Sequence, residues 1–78
     1  MQEETIDFVL VLQYQREGRK YLGSYDRATD DKTDAQGFLS VEAADRKRSS
    51  LNSMWMSNAK IMARRRVVRE ECFVEDVQ

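Results

Sequence analysis

Apolar residues recur at every second position over "IDFVLVLQYQ", residues 6–15, where Ile6, Phe8, Leu10, Leu12 and Tyr14 share one face. β-branched and aromatic residues at period two predict a strand. "REGR", residues 16–19, then offers a Gly for a positive φ, and "KYLGSY" reads as a short second strand, so the simplest connection is a β-hairpin. The polar stretch "DRATDDKTDAQG", residues 26–37, predicts a loop with at most one helical turn. Beyond it the period changes to that of a helix. Ser40 is a suitable N-cap and Glu42 adds negative charge at the positive helix end, while Val41, Ala44, Leu51, Met54 and Trp55 fall on one broad face edged by Ala43 and the Lys47 stem. "SNA" at 57–59 ends that helix, and "AKIMARRRVV" returns to strand chemistry. Its alternation sets Ile61, Ala63, Arg65 and Val67 on one side and Met62, Arg64, Arg66 and Val68 on the other. The tail "CFVEDVQ" extends that strand, forms another, or stays loose.

These elements predict an α+β fold. The expected architecture is a small two-layer sandwich, a three- to four-stranded antiparallel sheet in the order β-β-α-β with an optional C-terminal strand and one helix packed on one face. A chain of 78 residues suits one domain, 1–78, with its ordered core at about 5–69 and loose margins at 1–4 and 76–78. So small a core leaves modest stability. The longest apolar run, Phe8 to Leu12, is far short of the roughly 20 residues of a membrane helix, and "MQEET" lacks a basic signal-peptide start. One cysteine, Cys72, excludes an internal disulfide framework, and together these features point to the cytoplasm.

Charge changes the picture more than composition does. The formal net charge is only −1, but residues 46–69 carry eight bases and no acid, residues 26–45 carry six acids against Arg27 and Lys32, and residues 70–78 carry four acids and no base. Blocks of this kind make recognition surfaces or cancel after folding. If the Ile61 side meets the helix, Arg65 lies at the rim of the core and Arg64 and Arg66 stand on an open face, where each guanidinium is a charge-assisted donor. The candidate basic partner surface is therefore Arg64, Arg66 and Arg69 with Arg46 and Arg48 of the helix, and the candidate acidic one is Asp30, Asp31 and Asp34. The competing bland reading pairs the arginines with Glu3, Glu4, Glu17 or the acidic tail across neighbouring strands. For nucleic acid, the hairpin supplies Arg16, Arg19 and Lys20 beside Tyr21, with Tyr14 and Tyr25 as further stacking platforms.

Catalytic chemistry is poorly supplied. There is no His, which removes Ser-His and Cys-His arrangements, and Cys72 sits among Glu70, Glu71 and Glu75, whose charge would raise a thiol pKa. A calcium loop begun at Asp30 would place Lys32 and Val41 where oxygen ligands are required. The chain is read as a non-enzyme with no metal and no cofactor.

The stretch "GRKYLGSYDRATDDKTDAQGFLSVEAADR" resembles small β-β-α-β proteins of bacteriophage and prophage genomes, in which a "KYL" strand precedes an acidic turn, an aromatic (here Phe38) and a Ser-capped helix containing "EAA". The likeness covers most of residues 8–68. A weaker one is to the arm-site DNA-binding domains of phage integrases, which place their helix after three strands, whereas here a strand follows it. The resemblance implies a phage or mobile-element accessory protein that binds and modulates a host protein or nucleoprotein complex, with an anti-CRISPR-type inhibitor its most concrete form. The alternatives are a small nucleic-acid-binding module and a homo-oligomeric structural protein pairing its edge strands, with a homodimer its simplest form.

Overall fold

The computed structural model describes residues 4–14, 18–67 and 71–77, excluding the side chain of Tyr14. Five strands form one sheet: β1 (Glu4–Tyr14), β2 (Gly18–Leu22), β3 (Ala28–Thr29), β4 (Lys60–Val67) and β5 (Glu71–Asp76), in the order β3-β2-β1-β4-β5. All neighbours are antiparallel. The α+β class and the antiparallel sheet match the expectation, and the strand count rises to five. β3 arises inside the segment expected as a loop, and the tail "ECFVED" pairs as β5 along β4 from Met62–Asp76 to Val67–Glu71. Gly18, where β2 begins, takes the positive φ of 79° that the hairpin needed.

The expected single helix is two. α1 (Val41–Ser49) starts at Ser40, whose Oγ accepts from the Ala43 N–H at 3.1 Å, and α2 (Ser53–Asn58) starts at Asn52, whose Oδ1 accepts from the Trp55 N–H at 3.2 Å. The cause is local. Ser49, Ser50 and Asn52 have side chains that compete for backbone groups, Ser50 Oγ donating to the Lys47 carbonyl at 2.7 Å, so the chain recaps rather than continuing.

The helices cover one face of the sheet. Leu10, Leu12 and Leu22 meet Ala44, Trp55 and Ala59 there, flanked by Phe8, Phe38, Leu51 and Ile61. The opposite face is not open, which corrects the two-layer expectation: Val9, Val11, Tyr21 and Met62 form a second apolar cluster with Ala35 and Val74. Ala35 belongs to the segment after β3, which crosses that face before rejoining the sheet beside β1. There the Phe8 N–H donates to the Phe38 carbonyl at 2.9 Å, and the Phe38 N–H donates to the Phe8 carbonyl at 2.8 Å. Val9 and Leu10, neighbours on opposite faces, are both fully buried, each stabilising by about 1.5–3 kcal/mol.

Candidate recognition surface

The charged residues singled out by sequence divide sharply in space. Arg64 is 3% exposed. Its Nε and Nη2 form a two-pronged contact with Asp7 Oδ1 and Oδ2 at 2.9 and 2.5 Å, and its Nη1 donates to the carbonyls of Lys32 and Ala35 at 2.9 and 2.7 Å. The reading of Arg64 as an open-face partner contact is therefore corrected. The guanidinium lies beneath residues 32–35 and fastens them to the sheet. Asp7 stands directly opposite Arg64 in the β1–β4 register, which makes the pairing a consequence of strand alignment. Gly37 completes the arrangement: a Cβ there would sit 2.0 Å from Asp7 Oδ2 and 2.7 Å from Arg64 Nη2, so any larger residue must push the ion pair aside.

Arg66, on the same face, is exposed and donates Nη2 to the Thr33 carbonyl at 2.9 Å. Arg46 is exposed on α1, on the other side of the sheet. Arg48 bonds Asp45 Oδ1 at 2.5 Å and the Ala59 carbonyl at 3.0 Å, linking α1 to the start of β4. The basic set is thus not brought into one patch, and Arg69 lies outside the described residues. Of the acidic set, Asp30 is ion-paired with Lys20. Asp31 Oδ1 accepts from Thr33 Oγ1 at 2.6 Å and from the Thr33 N–H at 2.9 Å, and these bonds hold its carboxyl below the usual value. Asp34 is exposed and lines a shallow depression of ≈ 250 Å³ with Arg27, Thr29 and the Gly23–Ser24 turn.

The hairpin set for nucleic acid is also dispersed. Arg19 and Lys20 are consecutive on β2 and so face opposite ways, Arg19 Nε reaching Gln13 Oε1 at 3.2 Å and Lys20 reaching Asp30. Tyr21 is buried in the second cluster, which corrects its reading as a stacking platform. Tyr25 does stand out, 94% exposed on a turn where it and Asp26 adopt left-handed φ of 59° and 60°, held by a 2.8 Å ion pair from Lys47 to Asp26. Arg16, Glu3, Glu17 and the side chain of Tyr14 lie outside the described residues.

A surface the sequence did not single out lies on the helix-side face, past the helices. β1, with 11 residues, spans about 37 Å, whereas α1, with nine, spans about 14 Å. Towards one end of the face apolar side chains are left exposed. Across it Ile6, Arg65 and Phe73 stand side by side on β1, β4 and β5 in direct register. Ile6 is 58% exposed and Phe73 40%. The Arg65 guanidinium carbon lies 4.8 Å from the centre of the Phe73 ring, a cation–π contact. Arg65 also donates to Glu75 Oε1 from Nη2 at 2.8 Å and from Nε at 3.2 Å, with Glu4 at 3.8 Å, and the bond to Glu75 holds it still more firmly charged than usual. Leu39, 95% exposed, follows Phe38 and its bridge to Phe8, adding an apolar side chain in the neighbourhood of β1.

Lys60 pairs with Asp76 at 2.8 Å at the far end of β5, and this bond lowers the Asp76 pKa. Cys72 is buried. Among the described residues no three His, Cys, Asp or Glu side chains gather as a metal site, and no helix is long and apolar enough to cross a membrane. No protein-family model, curated protein or solved structure matches this chain.

Proposed function

We propose that this protein is a non-enzymatic binding module that acts by occupying a surface of a partner protein, with Ile6, Arg65 and Phe73 as its contact row. The observation that carries the reading is that row itself: two large apolar side chains flanking a pre-oriented guanidinium on a rigid three-strand platform. Aromatic residues and Arg are the side chains that most often anchor protein interfaces, and here Arg65 is already held in place by Phe73 and Glu75, so little conformational freedom remains to be lost on binding. The bases elsewhere are largely engaged within the chain or separated on opposite faces, which favours a protein partner over nucleic acid. The motif likeness of residues 8–68 to small phage and prophage proteins supports a mobile-element accessory protein modulating a bacterial host complex, an anti-CRISPR-type inhibitor being its most specific form.

The test is capture of partners from bacterial lysate, then reconstitution of the captured protein with purified wild type, Phe73→Ser and Arg65→Glu. Both variants should keep the wild-type circular dichroism spectrum and lose the partner, Arg65→Glu at some cost in stability because it sets a carboxylate beside Glu4 and Glu75. Retention of the partner by both variants would overturn the contact row. Binding confined to short DNA or RNA, weakening steeply with salt, would replace the reading with the nucleic-acid one.

A further inference from the structure

We infer that β5 is an acceptor edge onto which a partner protein adds an extended, basic segment as a sixth strand. This inference rests on the reading of the protein as a binding module and specifies how the partner is held.

Among the described residues the sheet ends at β5 on one side and at β3 on the other. β3 is two residues long, too short to template a strand, whereas β5 runs six residues and turns one row of backbone N–H and C=O groups away from β4. Along its helix-side face β5 presents Glu71, Phe73 and Glu75 in alternation, all exposed, with Phe73 continuous with the Ile6–Arg65 row. Residues directly opposite in paired strands share a face. The segment that fits is therefore basic, apolar and basic at positions i, i+2 and i+4, opposite Glu71, Phe73 and Glu75. Glu75 is already bonded to Arg65, but both contacts fall on Oε1, and a carboxylate has a second oxygen to offer.

The same charges select against a second copy of this chain. A two-fold β5–β5 pairing centred on Phe73 sets Glu71 against Glu75 twice, opposing what the facing Phe73 rings gain, and one centred on Val74 gives each Glu75 a Phe73 ring and no base to pair with. A basic strand turns that repulsion into attraction, and main-chain bonds supply affinity while the alternate side chains supply selectivity.

The probe is a peptide with the core Lys-Thr-Val-Thr-Lys, titrated into the ¹⁵N-labelled full chain. Three peptides accompany it: its Glu-Thr-Val-Thr-Glu counterpart and two N-methylated versions, each blocking one alternate set of amides. The basic peptide should shift and protect β5 amides. The acidic peptide and one methylated version should bind about tenfold more weakly or worse, from lost charge pairing and lost main-chain bonds. Glu71→Lys combined with Glu75→Lys should reverse the preference between the two charged peptides. Equal binding by both methylated versions would overturn strand addition. So would shifts confined to β2 and β3, no β5 response, or protection of β5 by self-association without peptide. If both methylated versions bind as the parent does while Phe73→Ser abolishes binding, the contact row stands and only the strand mode falls. If a reconstituted partner ignores both Phe73→Ser and Arg65→Glu, the binding reading falls with it.

Discussion

Removing Asp7 should cost far more than its half-exposed position suggests, because the damage falls on Arg64. The guanidinium is almost fully buried and holds four hydrogen bonds, two of them to the Asp7 carboxylate. Asp7→Ala leaves an uncompensated charge beneath residues 32–35, a loss of about 3–5 kcal/mol. Arg64→Met removes the charge itself and leaves Asp7, whose side chain is 29% exposed, in contact with water, so the cost is about 1–2 kcal/mol for the two abandoned carbonyls. The double variant should resemble Arg64→Met alone, giving a coupling of about 3–5 kcal/mol, the whole cost of Asp7→Ala. A domain of 78 residues has only about 4–12 kcal/mol in total. Asp7→Ala therefore sits near the limit of folding. Urea unfolding followed by the fluorescence of the buried Trp55 reports these differences, and with a slope of about 1 kcal/mol/M Asp7→Ala lowers the midpoint by about 3–5 M. If Asp7→Ala is no worse than Arg64→Met, or the coupling is below about 1 kcal/mol, the buried guanidinium is not what makes the site costly to disturb.

Gly37→Ala should destabilise by about 1–3 kcal/mol, since its Cβ would drive Asp7 off Arg64, and the same change made on Asp7→Ala should cost visibly less; equal costs in the two backgrounds would show that the clash lies elsewhere. Tyr25→Asn should raise stability by about 0.5–1 kcal/mol in thermal melts, because Asn tolerates the left-handed φ of 59° better and the exposed ring contributes little packing; a lower melting temperature refutes it. Thr33→Val should move the Asp31 carboxyl up towards its ordinary value of 3.8, read by carboxyl ¹³C shifts against pH. Because the folded-state value is depressed, the associated stability is complete above the ordinary carboxyl pKa and is lost as pH falls through the folded value; the variant should therefore lose less on acidification, and an unchanged Asp31 titration refutes the role of Thr33.

Much of the local structure was legible in the residue pattern. Period-two alternation located β1 and β4, and the Gly18 turn signal located β2, although the strand runs Gly18–Leu22 and gives way at Ser24–Asp26 to a 3-10 turn. Ser40 marked the start of α1, and the split of Arg65 from Arg64 and Arg66 follows from alternation alone. Two further signs stand in the residues themselves. "FVLVL", residues 8–12, has no polar interruption, which already requires cover on both faces of β1, and Asn52 three residues before Trp55 is a cap in waiting. The charge blocks misled because charge along a chain says nothing of distance across a sheet.

What the sequence by itself determined is therefore the identity of most elements and the facing of their side chains, since backbone period and capping are set by neighbours a few residues away. Only the tertiary structure decided which charges remain for a partner. Asp7 and Arg64 are 57 positions apart yet directly opposed, and Phe73 joins Ile6 and Arg65 in one exposed row only once β5 is laid against Arg65. Strand pairing selects those neighbours, and pairing is fixed by burying both faces of β1 together, a condition that no single stretch of the chain contains.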